Sequence, residues 1–278
     1  MAKLEYAALT DPGKERDLNE DRVWAQVFES SEGGATGLFI VCDGLGGHMG
    51  GEVASHWAVE TLKHELSDVL IQKDPRATIR LNIADINLES EGEDSTRLSS
   101  SSKVESQVIN AIQKANQVVK DVAQKRPEKA AEAGTTVSMA VVLDTRAIVA
   151  NVGDSRTYLL RDHSLHQITH DHSLVASLVE NGQLQPQDVY KHPQRNIIFR
   201  SLGQKRQVQV DTFWEVLEVG DYLVLCSDGL WEMVHDDQII IEIIEKNESL
   251  NNACKKLIEA ANSAGGEDNI SVILAKYF

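Results

Sequence analysis

Basic side chains, cysteine and long apolar runs are all scarce in this chain of 278 residues. Lys and Arg number 27 against 43 Asp and Glu, a formal net charge of −16. Such a chain has no cationic face with which to displace counter-ions from phosphates. That argues against general nucleic-acid binding and against docking on anionic lipid. It fits a soluble protein that binds cations or tolerates self-repulsion. The three cysteines, Cys42, Cys226 and Cys254, make no disulfide framework, and no CxxC pair offers a structural zinc site. Cys42 and Cys226 sit in apolar runs, where cysteine acts as a small buried hydrophobe. No segment approaches the ~20 apolar residues that span a bilayer. The opening MAKLEYAALTDPGKERD has no apolar stretch of signal-peptide length. A reducing, cytoplasmic setting without membrane attachment is the expectation. With 42% hydrophobic residues the chain should bury a sizeable core.

What is present alternates strand-like with helix-like segments, without an internal repeat. GLFIVCD (37–43) is short, apolar and β-rich, and reads as a buried strand. A glycine cluster follows, and then a helix from about Glu52, with Val53, Ala54, Trp57, Ala58 and Leu62 at helical spacing. Residues 136–143 and 147–150 read as a hairpin through Asp144-Thr145-Arg146, and 157–161 continues as a further strand. Residues 222–226 form another apolar run. Ile239, Ile240, Ile243 and Ile244 form a helical stripe behind the cap Asp236, and Leu250, Cys254, Leu257, Ile258 and Ala261 form a second. Gly265-Gly266 ends that helix, and 270–277 reads as a closing strand. Residues 89–106, ESEGEDSTRLSSSSKVES, are acidic and serine-rich with almost nothing to bury, and read as a mobile surface insertion. The fold resumes in a helix carrying Ile109, Ile112, Val119 and Val122 on one face. No Pro/Gly linker divides the chain, so one domain is expected.

The informative feature is where the acids sit. Asp43 ends IVCDG and Asp228 ends VLCSDG; Asp154 lies in NVGDSR and Asp268 in GGEDN. Glu20 and Asp21 lie in RDLNED, just before the strand-like 23–28. A carboxylate at the rim of a buried strand is poorly solvated, and several converging there repel one another unless a cation neutralises them. All-oxygen ligands suit Mg²⁺ or Mn²⁺ rather than zinc or copper. Gly44, after Asp43, lets the backbone turn tightly and bring its carbonyl towards an ion. DGLGGHMGG lacks the Lys-Ser/Thr end of a P-loop, the spacing of a dinucleotide fingerprint and the alternating ligands of an EF-hand. Asp144 and Asp221 read as turn residues with no part in the chemistry.

In this order these segments resemble the metal-dependent protein phosphatases of the PPM family, the phosphatase 2C type. The matching pieces are RDLNED, VCDGLGGHMGGEVAS, GTTVSMAVV, NVGDSRTYLLR, THDHSLV, IIFRSLG, LCSDGLWE and EDNISVILAK, which run from about Tyr6 to the C-terminus. The short length and the DGLGG form look like the bacterial single-domain branch. The resemblance implies an α+β fold, a sandwich of two mainly antiparallel sheets flanked by helices, as one catalytic domain over 1–278. The insertion at 89–106 would sit on its surface, and a flap at about 174–198 would gate phosphoprotein access beside the active site.

The resemblance also implies a site. Asp43 bridges two metal ions, and Gly44 gives its carbonyl to one of them. Asp228 and Asp268 bind the other, while Glu20 and Asp21 hold metal-bound water or complete the shell. Asp154 helps hold a third, weaker ion. Arg16 grips the substrate phosphate, because a guanidinium matches phosphate oxygens with parallel hydrogen bonds. The implied reaction is hydrolysis of phosphoserine or phosphothreonine by in-line attack of a hydroxide shared by two ions, without a phosphoenzyme. Neither Cys42 nor Cys226 lies in a Cys-x₅-Arg context, so neither is expected to be a nucleophile. Some relatives carry a His after the Asp-Gly, proposed as the acid for the leaving group. Leu45 stands there instead, which leaves a metal-bound water, His48 or no acid at all. His170 and His172 read as turn and hydrogen-bonding residues. The expected partners are phosphorylated proteins, substrates of a serine/threonine kinase, acted on by a monomer. Two rivals remain at this level: a non-catalytic relative that only binds, and a hydrolase of small phosphorylated metabolites.

Overall fold

The computed structural model describes residues 3–29, 34–46, 50–70, 93–125 and 133–278. The fold is α+β, with two antiparallel five-stranded sheets. One runs β1 (Leu4–Asp11), β12 (Ile270–Tyr277), β11 (Tyr222–Cys226), β8 (Arg156–Arg161), β9 (Ser164–Gln167). The other runs β10 (Asp211–Val216), β7 (Arg146–Val152), β6 (Val137–Leu143), β3 (Ala35–Cys42), β2 (Arg22–Glu29). A short ribbon pairs β4 (Gly44–Leu45) with β5 (Gly134–Thr135). Helices α1 (Gly50–Leu70) and α2 (Glu93–Lys125) cover the second sheet. Further along come α3 (Leu174–Glu180), a 3-10 helix (Pro186–Lys191), α4 (Asp228–Trp231), α5 (Asp237–Glu245) and α6 (Leu250–Ala264). Helices α5 and α6 cover the outer face of the first sheet.

The two-residue period of a strand explains the layering. On β3, Leu38, Ile40 and Cys42 pack under α1 and α2, while Phe39 and Val41 point to the opposite sheet. There they meet Leu159, Leu223, Leu225 and Ile273. Strands covered on both faces must be apolar throughout, which is why GLFIVC and YLVLC carry no alternation.

Helix phase departs from the sequence reading in detail. Ala54, Ala58 and Leu62 are buried, but Trp57 stands 42% exposed. On α2 the buried line is Val108, Ala111, Ile112, Ala115 and Val119, turned slightly away from Ile109 and Val122. On α5 it is Ile240, Ile241 and Ile244, with Ile239 outside. In a run of consecutive isoleucines several phases look alike, and the packed neighbours select one. Asp236 caps α5 as expected, accepting the Gln238 N–H.

The acidic serine-rich segment also differs from the insertion expected at 89–106. Residues 93–106 form the leading turns of α2, and Val104 already packs on the core; 89–92 lie outside the described residues. The packed C-terminal part of α2 supplies the costly nucleus, so a polar segment can continue the helix.

Register places the chemistry. Cys42 faces Arg22, Val137 faces Val152, and Cys226 faces both Arg156 and Val272. The start of β2, the end of β3, the β7–β8 turn, the end of β11 and the start of β12 therefore share one rim of the sandwich.

Candidate metal centre

Each acidic residue singled out in the sequence lies on that rim. Asp43 follows β3. Its N–H donates to Thr136 Oγ1 (3.0 Å), and its carbonyl accepts from Thr135 Oγ1 and from the Thr136 N–H (2.8 Å each). This clamp fixes the backbone and leaves the carboxylate to the cleft. Gly44 must be glycine, because a Cβ there would overlap the carbonyls of Gly51 and Glu20. The same close approach brings the Gly51 N–H to Glu20 Oε1 at 3.2 Å.

Asp21 is buried. One of its oxygens accepts from Ser227 Oγ at 2.7 Å, and the other, Oδ1, has no partner among the described residues. Asp228 opens α4 and likewise carries a buried, unpartnered Oδ1. Asp154 sits in the β7–β8 turn beside Gly153, whose φ of 113° demands glycine. Asp268 accepts from its neighbour Asn269 N–H (2.8 Å) and from Arg16 (2.7 Å). Arg16 is half exposed at the mouth.

These groups act on one another electrically. Burial pushes the Asp43 carboxyl well above the usual carboxylate range, and the charges of Asp228, Asp21, Asp154 and Asp268 push it further. Asp228 is raised in the same way, by burial first and then by Asp154 and Asp268. Burial lifts Asp21 to about 7 against the pull of its serine hydrogen bonds, and Asp154 to about 7 with help from Asp171. Among the described residues no three such side chains close on one point tightly enough to hold an ion as they stand.

The donor set fits hard divalent cations. It offers carboxylate oxygens and a glycine carbonyl, with two buried oxygens left unpartnered, and burying carboxylates without a counter-charge is costly. Glu20, Asp21, Asp43, Gly44, Asp154, Asp228 and Asp268 would hold Mg²⁺ or Mn²⁺. The thiols do not compete. Burial pushes the Cys226 thiol up to about 12, and Cys42 is raised further.

Sequence reasoning missed the polar residues that hold these acids in place. Asn269 accepts the Glu20 N–H (2.7 Å) and donates to the carbonyls of Pro12 and Leu18 (2.9 Å each), which ties the 12–20 loop to the rim. Trp231 Nε1 donates to the Asp154 carbonyl (3.0 Å), while its ring carries the Arg156 guanidinium 3.6 Å above. Arg156 in turn donates to both oxygens of Asp171. Asn269, Trp231 and Ser227 all stand inside the motifs quoted above, so their letters were visible while their tasks were not. His172 accepts the Gly153 N–H on Nδ1 (3.0 Å), the hydrogen-bonding part expected of it. His170 rests its ring against Phe213. Leu45 lies in β4, and His48 is outside the described residues.

Comparison with known proteins identifies the family. The protein phosphatase 2C family profile matches residues 17–274. The serine/threonine phosphatase stp of Listeria monocytogenes is 36% identical over 267 residues, which cover 96% of this chain and 93% of that protein. The structure of the serine/threonine phosphatase of S. agalactiae superposes with a TM-score of 0.78 at 33% identity, covering 98% of this chain and 99% of that one. The catalytic domain of the serine/threonine protein phosphatase PstP, solved in complex with two manganese ions, gives 0.75 at 29% identity, with 100% and 99% covered. The chain belongs to the protein phosphatase 2C family, and is a phosphatase of that type.

Proposed function

We propose that this phosphatase removes phosphate from phosphoserine and phosphothreonine in proteins, using Mn²⁺ or Mg²⁺. The observation that carries the reading is the shared rim of Asp21, Asp43, Asp154 and Asp228, with two buried carboxylate oxygens that have no partner among the described residues. Two bound divalent ions would supply a hydroxide at neutral pH for in-line attack on phosphorus, without a phosphoenzyme. The protein's own part is to hold and aim. Asp43, clamped by Thr135 and Thr136, would hold the ions together with the Gly44 carbonyl. Asp228, Asp268, Glu20 and Asp21 would supply further oxygen ligands, and Asp154 with Asp228 would hold a third, weaker ion. Arg16, at the mouth beside Asp268, meets the phosphate with its free donors.

Residues 1–278 act as one catalytic domain and as a monomer in the cytoplasm, opposing a serine/threonine kinase. Among the described residues no helix is long and apolar enough to cross a membrane. Residues 174–198, with α3 and the 3-10 helix, serve as a flap that gates access; amide exchange as slow there as in β3 and β6 would count against gating. The deciding assay measures phosphate release from p-nitrophenyl phosphate and from a phosphothreonine peptide, with Mn²⁺ and with chelator. Turnover of both that stops on chelation is expected. Activity that survives complete metal removal overturns the reading, and no activity with any metal favours a binding module.

A further inference from the structure

A cleft lies beside the carboxylates rather than over them. It holds about 430 Å³ between α3, the 3-10 helix and the β8–β9 hairpin. We propose that it is a second substrate site, which takes a lysine or arginine side chain of the phosphoprotein. This inference rests on the phosphoprotein reading above.

Its chemistry points to that occupant. The walls are apolar, with Val175 and Val179 from α3 facing Val189 and Tyr190 from the 3-10 helix. The floor is a closed ion pair. Arg156 Nε lies 3.0 and 3.1 Å from the two Asp171 oxygens, its NH2 lies 2.6 Å from one of them, and Gln167 donates to the same carboxylate. A guanidinium engaged in this way offers no bare cation to an anionic ligand. At the lip stands Glu180, exposed and without an ion pair among the described residues. An aliphatic stem ending in a cation satisfies both features, with methylenes along the valines and the charged head at Glu180. The net charge of −16 draws such segments in. Position agrees as well. Arg156 forms the cleft floor and also stacks on Trp231, which bonds the Asp154 carbonyl. The cleft therefore borders the metal centre, and a residue a few positions from the phosphate reaches it at about 3.3 Å per residue.

The test uses phosphothreonine peptides carrying lysine, norleucine or alanine, with glutamate for the charge-reversal arm, in turn at each position within five residues of the phosphate. At one position KM should fall from alanine to norleucine to lysine, by about three-fold at each step. Glu180→Gln should erase the step from norleucine to lysine. Glu180→Lys should reverse it in favour of a glutamate peptide, and both variants should keep p-nitrophenyl phosphate turnover. Fluorescence anisotropy of labelled, unphosphorylated versions of the peptides on the metal-free protein reads the same preference without turnover. Failure of every phosphopeptide to turn over, with that preference intact, counts against the phosphoprotein reading and supports the cleft. Equal affinity for all three peptides, or a lysine preference that survives Glu180→Lys, overturns the proposal.

Discussion

Asp21 and Asp228 each bury an oxygen that no donor among the described residues reaches, whereas Asp268 has both oxygens engaged. That difference sets the expected behaviour of single changes. Asp43→Ala and Asp228→Ala each remove one charge from a set that raises its own members, so the metal-free fold should be kept, with a melting temperature at or above that of the parent. Activity should fall by far more than the ~100-fold that loss of an outer partner costs. Unchanged kinetics for Asp228→Ala would contradict its role. Ser227→Ala is the milder case. It frees Asp21 from its hydroxyl donor and also removes the acceptor of the Ser271 N–H. A drop of about 10–100-fold in apparent Mn²⁺ affinity is expected, read from a metal titration of turnover. At Gly44 and Gly51 the backbones touch, so Gly44→Ala should lower both stability and activity.

Between elements, side chains rather than strands carry the coupling. Trp231 on α4 reaches back to the β7–β8 turn. Trp231→Phe keeps a ring under Arg156 but removes the donor to Asp154 along with part of a buried indole, so it should cost more than the about 1 kcal/mol of the hydrogen bond alone. Thermal unfolding should show that loss, together with weaker use of the Asp154 position at limiting Mn²⁺. The Arg161–Asp221 pair is not legible in the sequence, where Asp221 reads as a turn residue. Asp221 is buried, accepts two bonds from Arg161, and also accepts the Glu218 N–H. Arg161→Ala should cost about 2 kcal/mol, below the roughly 3–5 of a fully buried pair, because the guanidinium is 28% exposed. Denaturant unfolding measures it, and turnover of the folded fraction should be unchanged.

Across the molecule, the raised carboxylates link folding, pH and metal. In the metal-free protein Asp21 and Asp154 move from 3.8 to about 7, so the folded state binds more protons than the unfolded chain between those values. Their contribution to stability is complete below about 3.8 and is lost as pH rises through about 7. His172, lowered by burial from 6.5, works in the opposite sense. Its contribution is present above 6.5 and fades as pH falls below it. The comparison that separates them is made with and without metal. From about pH 5 to about pH 8 the gain in melting temperature on adding Mn²⁺ should grow steadily, because the ion needs the deprotonated carboxylates. A gain independent of pH would remove Asp21 and Asp154 from the metal set.

The strands and the ordered acids could be read from the chain because both signals are local. An apolar run covered on two faces shows itself within about eight residues, and an aspartate at its end is the next letter. β11 and β12 begin and end where the sequence placed them. The phases of α2 and α5, the helical start of α2 inside a polar segment, and the partners of the acids belong to the tertiary structure alone. Ser227 meets Asp21 across 206 positions and Arg16 meets Asp268 across 252. No local pattern encodes such distances; antiparallel register brings these residues to one rim, and burial at that rim raises the Asp21, Asp43, Asp154 and Asp228 carboxyls above the ordinary range.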